Sequence, residues 1–387
     1  MQSTHLREHN LSLVLRSLVG IETPVSRAAL AKATRLTKPT VSKLMEELIG
    51  AGLVQEGAPL TRGTGRPIVP LSPARGTLLA LGLEVAADHI SVLGTDLAGE
   101  VTVQRTEYLQ VGAGTVAEAV ETSARLIGAA LEAADGVPAI GICVSVPGRI
   151  SPDGGRVLSA PNLDWTDVPF VEHLTADPRV ASLPVRAEND NRLAVRTELD
   201  RRPGASFLYV RGSTGVGGAV VLEGQVMPGE HGWAGEIGHT VVVRGGALCR
   251  CGRRGCLEAY VSHHALRELA GLGTDVRIED LVDALALSSD RAEVIGTIGS
   301  ALGLAVANAL NVLDLSTVVL SGYLAPIAEE IAPVIRTTVE AHALAVEAGP
   351  VTIERSDALA EPSLRGAARA ALEPVLASPS SWIRRLG

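Results

Sequence analysis

The stretch GEIGHTVVVRGGALCRCGRRGCLE, residues 235–258, places one imidazole and three thiols, His239, Cys249, Cys251 and Cys256, in a single short loop. Gly245, Gly246, Gly252 and Gly255 let that loop fold back on itself. Three sulfurs and one nitrogen make a closed tetrahedral set that suits Zn²⁺ and leaves no position open for water, so the expected metal is structural rather than catalytic. The remaining cysteine, Cys143, stands in an apolar run and reads as core. The N-terminus, MQSTHLREHN, is polar and lacks the apolar region of a signal peptide. No apolar run approaches the roughly 20 residues of a membrane span. The expected location is the cytoplasm, with no membrane partner, where clustered cysteines favour a metal over disulfides.

Outward from this loop, short β-type runs alternate with helical ones. Strands are expected at 78–84, 89–95, 100–107, 139–145, 206–211, 217–222 and 317–321. Helices are expected at 115–134, 190–200, 259–270, 278–287, 291–313 and 326–342. This reads as an α/β fold with mixed sheets and two lobes, without an internal repeat of solenoid period. A hydrophobic share of 46% with only 2% aromatics implies a core of Ala, Val, Leu and Ile. A length of 387 residues implies two or three domains.

Two further stretches carry chemistry. In RAENDNRLAVRTEL, 186–199, a strand-like run gives way to a helix, and Asp190 sits at the junction, a common place for a ligand-facing carboxylate or for a helix N-cap. In VRGSTGVGGAVV, 210–221, four glycines fall in a turn between two β runs, which is either a phosphate-facing turn or an ordinary hairpin.

The first 77 residues differ from the rest in charge. They hold ten Lys or Arg and five Asp or Glu, a balance of +5, whereas the remainder carries −14. Such a basic head suits a polyanion. A first helix is expected over 10–20, capped by Asn10, then a short RAALAKAT helix, a turn at 34–36, and a third helix capped by Thr37 with Pro39 in its first turn. Val41, Leu44, Leu48 and Ile49 would form its buried stripe. This is a helix-turn-helix pattern: Lys38 and Thr40 would face base edges, Ser42 and Lys43 phosphates. Leu53-Val54 and Ile68-Val69 are expected to pair as a wing whose tip, with Arg62 and Arg66, can enter a minor groove. The expected domains are a winged helix-turn-helix at 1–70, a linker at 71–77, a first α/β lobe at 78–188, and a second lobe at 189–387 whose last helix is free to return to the first. EPVLASPSSWIRRLG, 373–387, is expected to be a frayed end.

The body resembles the ROK (repressor, ORF, kinase) family of bacterial sugar kinases and sugar-responsive repressors. The matching pieces are VPGRI (146–150), SAPNLDW (159–165), ENDNRLA (188–194), the glycine turn at 212–218, GEIGH (235–239) and CRCGRRGCLE (249–258). With its winged head the whole chain resembles the transcriptional-regulator branch. The resemblance implies a two-lobed actin-like (ribonuclease H-like) fold behind the head. It makes Asp190 the equivalent of the kinase base. It also implies a sugar-binding set of Asn189, Asp190, Glu236, His239 and Glu258 flanked by Gly148, Arg149 and Asn162, and zinc on His239, Cys249, Cys251 and Cys256. The expected partners are double-stranded operator DNA, a sugar or sugar derivative as effector, and further copies of the chain in a homodimer or homotetramer.

One turn departs from the family. Kinases of this family resemble one another by Asp-x-Gly-Gly-Thr where this chain has Glu84-Val85-Ala86-Ala87-Asp88. Alanine Cβ atoms narrow the approach of a phosphate. A carboxylate about 4 Å from a phosphate charge repels it by roughly 4 kcal/mol at an effective dielectric near 20. Ser321 and Ser213 also stand where the family has glycine. The expectation is a regulator, most naturally a repressor, with no catalytic residues; the alternative is an active ATP-dependent sugar kinase carrying a DNA-binding head.

Overall fold

The computed structural model describes residues 2–20, 23–60, 68–357 and 360–386. The head opens with helices α1 (Gln2–Arg16), α2 (Arg27–Thr34) and α3 (Lys38–Gly50). The hydroxyls of Ser26 and Thr37 cap α2 and α3, accepting from the backbone N–H groups of Ala29 and Thr40 at 3.2 and 3.3 Å. Val41, Leu44, Met45 and Leu48 bury one face of α3 in the cluster that holds Leu11, Val14 and Leu15 of α1. Strand β1 (Val54–Glu56) pairs antiparallel with β2 (Leu71–Pro73), Val25 bridges to Leu71, and Leu60 bridges to Ile68 farther out.

Two expectations change here. The second wing strand lies at 71–73, not 68–69, because Leu71 is the residue that the head core buries. The expected linker therefore begins inside the wing. Its remainder is pinned, with Thr77 Oγ1 donating to the Gly52 carbonyl at 2.6 Å and the Gly76 N–H to Asp96 at 3.0 Å. The first helix starts at Gln2 rather than at Asn10, supported by tertiary partners: Arg7 pairs with Glu47, and Glu8 accepts the Ser380 N–H at 3.2 Å.

The body contains β3 (Leu79–Val85), β4 (His89–Thr95), β5 (Val101–Tyr108) and β6 (Ala139–Val146), then a small antiparallel sheet of β7 (Arg149–Ile150), β8 (Val157–Ala160) and β9 (Trp165–Val168), then β10 (Val185–Asn189). The second lobe adds β11 (Phe207–Gly212), β12 (Val216–Leu222), β13 (Gln225–Val226), β14 (Thr317–Gly322) and β15 (Thr352–Arg355). The two large sheets have orders β10-β6-β3-β4-β5 and β13-β12-β11-β14-β15. In each, the first strand in sequence is central, antiparallel to the second and parallel to the fourth. The duplication is one of topology. Two copies of one sheet facing across a cleft make this a two-lobed actin-like fold.

Helix α4 (Val116–Ala133) covers the first sheet, and α5 (Phe170–Thr175) follows the small sheet. Helices α6 (Asp190–Ala194) and α7 (Arg196–Leu199) carry the chain between lobes. After the metal loop come α8 (Glu258–Val261), α9 (His263–Leu269), α10 (Leu281–Leu287), α11 (Arg291–Leu313) and α12 (Ala328–His342). Among the described residues α11 alone is long and apolar enough to cross a membrane; half of its apolar stretch is buried inside the protein, with Val294, Ile298 and Leu302 in the second-lobe core.

The chain then returns through α13 (Pro362–Ala371), α14 (Glu373–Ala377) and α15 (Pro379–Leu386). Helix α13 packs on β3 and on α6 at backbone contact: a Cβ at Gly366 would stand 1.9 Å from the Leu193 carbonyl oxygen. The expected frayed end is instead helical and docks on α1. Ser12 Oγ donates to the Leu376 carbonyl at 2.7 Å, Arg16 donates to Glu373 at 3.2 Å, and Trp382 is 5% exposed. Val375, Leu376 and Trp382 share one cluster with Leu11 and Leu15, so the head core runs unbroken into the tail.

Candidate functional site

A cleft of ≈ 740 Å³ opens where the β3–β4 turn, the start of the small sheet, the β10–α6 junction, the β11–β12 turn and the metal loop converge. Gly148, Arg149, Asn162, Asn189, Asp190, Glu236, His239 and Glu258 all line it. Asn189 does so as the N-cap of α6. Its Oδ1 accepts from the N–H groups of Asn191 and Arg192 at 2.9 and 3.1 Å, and its Nδ2 donates to the Gly148 carbonyl at 3.0 Å. It fixes the junction and keeps one amide hydrogen for a ligand.

Asp190 begins α6 and is 7% exposed. Asn191 Nδ2 donates to its Oδ1 at 2.9 Å and Arg211 Nη1 to its Oδ2 at 3.2 Å. Burial pushes its carboxyl up to about 6; Arg211 opposes the rise and the Glu84 charge adds to it. Gly217 makes the Asn191 contact possible, since a Cβ there would meet Asn191 Nδ2 at 2.2 Å. Burial also raises the Glu236 carboxyl, against the pull of His239 and Arg149. The cleft thus presents carboxylates and amides, groups suited to a ring of hydroxyls.

The ligand atoms of His239, Cys249, Cys251 and Cys256 lie within 4.8 Å of one another. Cys251 Sγ and Cys256 Sγ are 3.8 Å apart, and Cys249 Sγ is 3.9 Å from His239 Nδ1. Metal–sulfur bonds of about 2.3 Å in a tetrahedron demand sulfur separations near 3.8 Å, so the donor set fits a zinc-sized ion. His239 serves both the metal set and the cleft: Nδ1 faces the thiols while Nε2 is 3.7 Å from Glu236 Oε2. Glu258 also joins the two, accepting the Val216 N–H at 3.1 Å on one oxygen with Cys249 Sγ 3.6 Å from the other.

The same cleft is lined by the turn that departs from the kinase pattern. The Ala86 N–H donates to the His89 carbonyl at 3.0 Å, extending the β3–β4 ladder up to the bend at Ala87 and Asp88, at ordinary backbone angles. Asp88 is not the lone anion expected from the sequence. His89 Nδ1 is 2.7 Å from its carboxylate, and His89 Nε2 is 3.8 Å from Glu84. Burial pushes the His89 imidazole down, but hydrogen bonds and charge from Asp88 and Glu84 outweigh it and hold it at about 10. The turn therefore carries two carboxylates and one imidazolium, and part of the expected repulsion is offset inside it. Farther along, Tyr323 follows Ser321 and Gly322, is 4% exposed, and donates its hydroxyl to the Val261 carbonyl. Its ring fills the space over Gly212, where a Cβ would come within 2.5 Å, and no residue from 320–325 lines the cleft.

Sequence reasoning missed Arg211, Trp233 and His89. Trp233 donates Nε1–H to the Ile150 carbonyl at 3.0 Å and lies 5.0 Å under the Arg149 guanidinium, tying a second-lobe loop to the small sheet. An arginine in the otherwise apolar run FLYVRG and a tryptophan in an aromatic-poor chain were the available signals.

In the head, Lys38 and Lys43 are exposed, Thr40 and Ser42 half-buried, and the Thr40 hydroxyl is 2.8 Å from that of Thr37, within the cap. Arg62 and Arg66 lie outside the described residues.

A family model described as "ROK family" matches residues 80–373. The xylose repressor of Bacillus subtilis is 28% identical over 330 residues, covering 82% of this chain and 83% of its own length. A glucokinase of Halalkalibacterium halodurans is 33% identical over 231 residues, 53% of this chain and 68% of its own. Among solved structures, a ROK family transcriptional regulator, described as a homolog of the Escherichia coli MLC protein, superposes with a TM-score of 0.77 at 23% identity, over 98% of this chain and 100% of that one.

Proposed function

The chain belongs to the ROK family, and from that premise we propose that it is a sugar-responsive, DNA-binding transcriptional repressor without kinase activity. The observation that carries this is the asymmetry of the cleft. One part of its lining keeps Asp190, Glu236, His239 and Glu258. Another part replaces phosphate-facing glycines with Ala86 and Ala87 and adds the Glu84–His89–Asp88 charges, while outside the cleft Tyr323 is buried over Gly212. The similarity to a xylose repressor over 82% of this chain supports the same reading.

In this reading the N-terminal helices and wing bind double-stranded operator DNA in the cytoplasm, as a homodimer or homotetramer. Lys38 and Thr40 face base edges, Ser42 and Lys43 phosphates, and Arg62 and Arg66 a minor groove. Zinc bound by His239, Cys249, Cys251 and Cys256 would act as a structural crosslink. Held there, His239 orients Nε2 toward the cleft, and Glu258 braces the glycine turn. A sugar closing the lobes changes DNA affinity only through its different affinity for the open and closed states.

A palindromic duplex selected from a random pool provides the test. Binding followed by fluorescence anisotropy is expected to weaken on addition of one member of a panel of pentoses, hexoses and their phosphates. A coupled assay with ATP and Mg²⁺ is expected to show no turnover. The second reading, an active kinase, draws on Asp190 with its carboxyl near 6 and on the glucokinase similarity; turnover abolished by Asp190→Asn would establish it and end the first.

A further inference from the structure

Behind the β10–α6 junction, sharing Asn189 with the main cleft, lies a second cavity of ≈ 190 Å³. It is far larger than the ~10–15 Å³ that one water needs. Both lobes contribute to it: Ile150 to Gly154 from the small-sheet turn on one side, His231 and Gly232 from the loop before the metal site on the other. Its wall between them is basic. Arg186, Arg192 and Arg196 converge on the single buried carboxylate of Glu188, with Arg196 at 3.1 Å, Arg192 at 3.5 Å and Arg186 at 3.8 Å. The other carboxylate present, Asp153, lies at the exposed rim, where its oxygen accepts the Gly155 N–H at 3.0 Å.

The cluster is under-compensated in charge and in hydrogen bonds. Three guanidiniums face one buried anion. Arg192 reaches the Gly232 carbonyl at 2.9 Å and Arg186 the Ala370 carbonyl at 3.0 Å. The Nε atoms of Arg192 and Arg196 are nevertheless buried without a partner. Burial disfavours the charged form of Arg192; Glu188 opposes this, and the charges of Arg196 and Arg186 add to it. A dianion would relieve the repulsion and take up forked N–H donors, an arrangement for which guanidinium is especially suited.

We propose that this cavity is a second ligand site, distinct from the sugar-type cleft, that takes a phosphate group, either as inorganic phosphate or as a small phosphate monoester. Occupied, it would bridge the small-sheet turn and the 231–232 loop and so bias the relative position of the lobes. The site stands on its own residues and does not depend on the regulator reading.

Calorimetry on the zinc-loaded full chain, without DNA or sugar and at constant ionic strength, tests it with two probes, inorganic phosphate and glycerol phosphate. Saturable one-to-one binding of either supports the site, and the tighter of the two identifies the source. Arg192→Gln is expected to weaken binding about tenfold or more, the loss of one charge-assisted pair. The more exposed Arg186→Gln, less prone to perturb folding, is expected to weaken it several-fold. Glu188→Gln, which removes the competing carboxylate, is expected to tighten it. Absence of saturable binding by both probes would overturn the proposal. So would equal competition by chloride, or undiminished binding in a folded, zinc-retaining Arg186→Gln, Arg192→Gln double variant.

Discussion

Asp190 is held by Arg211 on one oxygen and Asn191 on the other, with its carboxyl at about 6. The folded value lies above the ordinary 3.8, so folding favours the protonated form. The stability this confers is complete below about pH 4 and is lost as pH rises through about 6, an effect of about 3 kcal/mol for so buried a group. Urea melts should therefore show that Asp190→Asn removes a fall in stability between pH 4 and 6. The ionised carboxylate is the form that accepts a sugar hydroxyl. Effector affinity measured by calorimetry should accordingly rise above pH 6 in the native chain and depend less on pH in the variant. Neither contact to Asp190 could be read from the sequence. Arg211 arrives from a strand in the other lobe, and its partner is set by sheet register and lobe geometry rather than by spacing along the chain.

At the scale of elements, Cys251→Ser removes one of four donors that lie within 4.8 Å. It should abolish stoichiometric zinc, measured by atomic absorption, and lower the melting temperature. Because His239 and Glu258 belong to both the donor loop and the cleft, effector affinity should fall with it; a variant without metal but with normal affinity would break that link. The loop was legible because thiols and imidazole have few structural uses in such density. Long periodic helices were legible too, with 291–313 expected and found and 115–134 found as Val116–Ala133. What escaped were strands of two to four residues, β7, β8, β9, β13 and β15, too short to display a period of two. The wing register escaped for another reason: Leu71 and Ile68 are equally apolar, and only the packed head distinguishes them. The charge balance of the Glu84–His89–Asp88 turn escaped because it rests on how side chains face one another across it.

On the scale of the whole molecule, the tail decides how firmly the head is held. Trp382 is 5% exposed in the cluster that holds α1. Trp382→Ala should destabilise by about 3 kcal/mol, read as a lower denaturation midpoint. It should also reduce operator affinity while leaving calorimetric sugar binding unchanged, since α15 does not line the cleft. The sequence-based reading treated this segment as a loose end because its apolar residues form a stripe only when α1 is opposite them. The same return path places α13 against α6, whose first residue is Asp190, so one helical run lies between the cleft and the head.

That arrangement has a consequence for biosynthesis. Ser12 bonds a carbonyl 364 positions downstream. At translation rates of about 5–20 residues per second, the first helix waits roughly 20–70 s for its cover. A nascent chain therefore emerges with the tail-facing side of its first helix uncovered until the last residues are made.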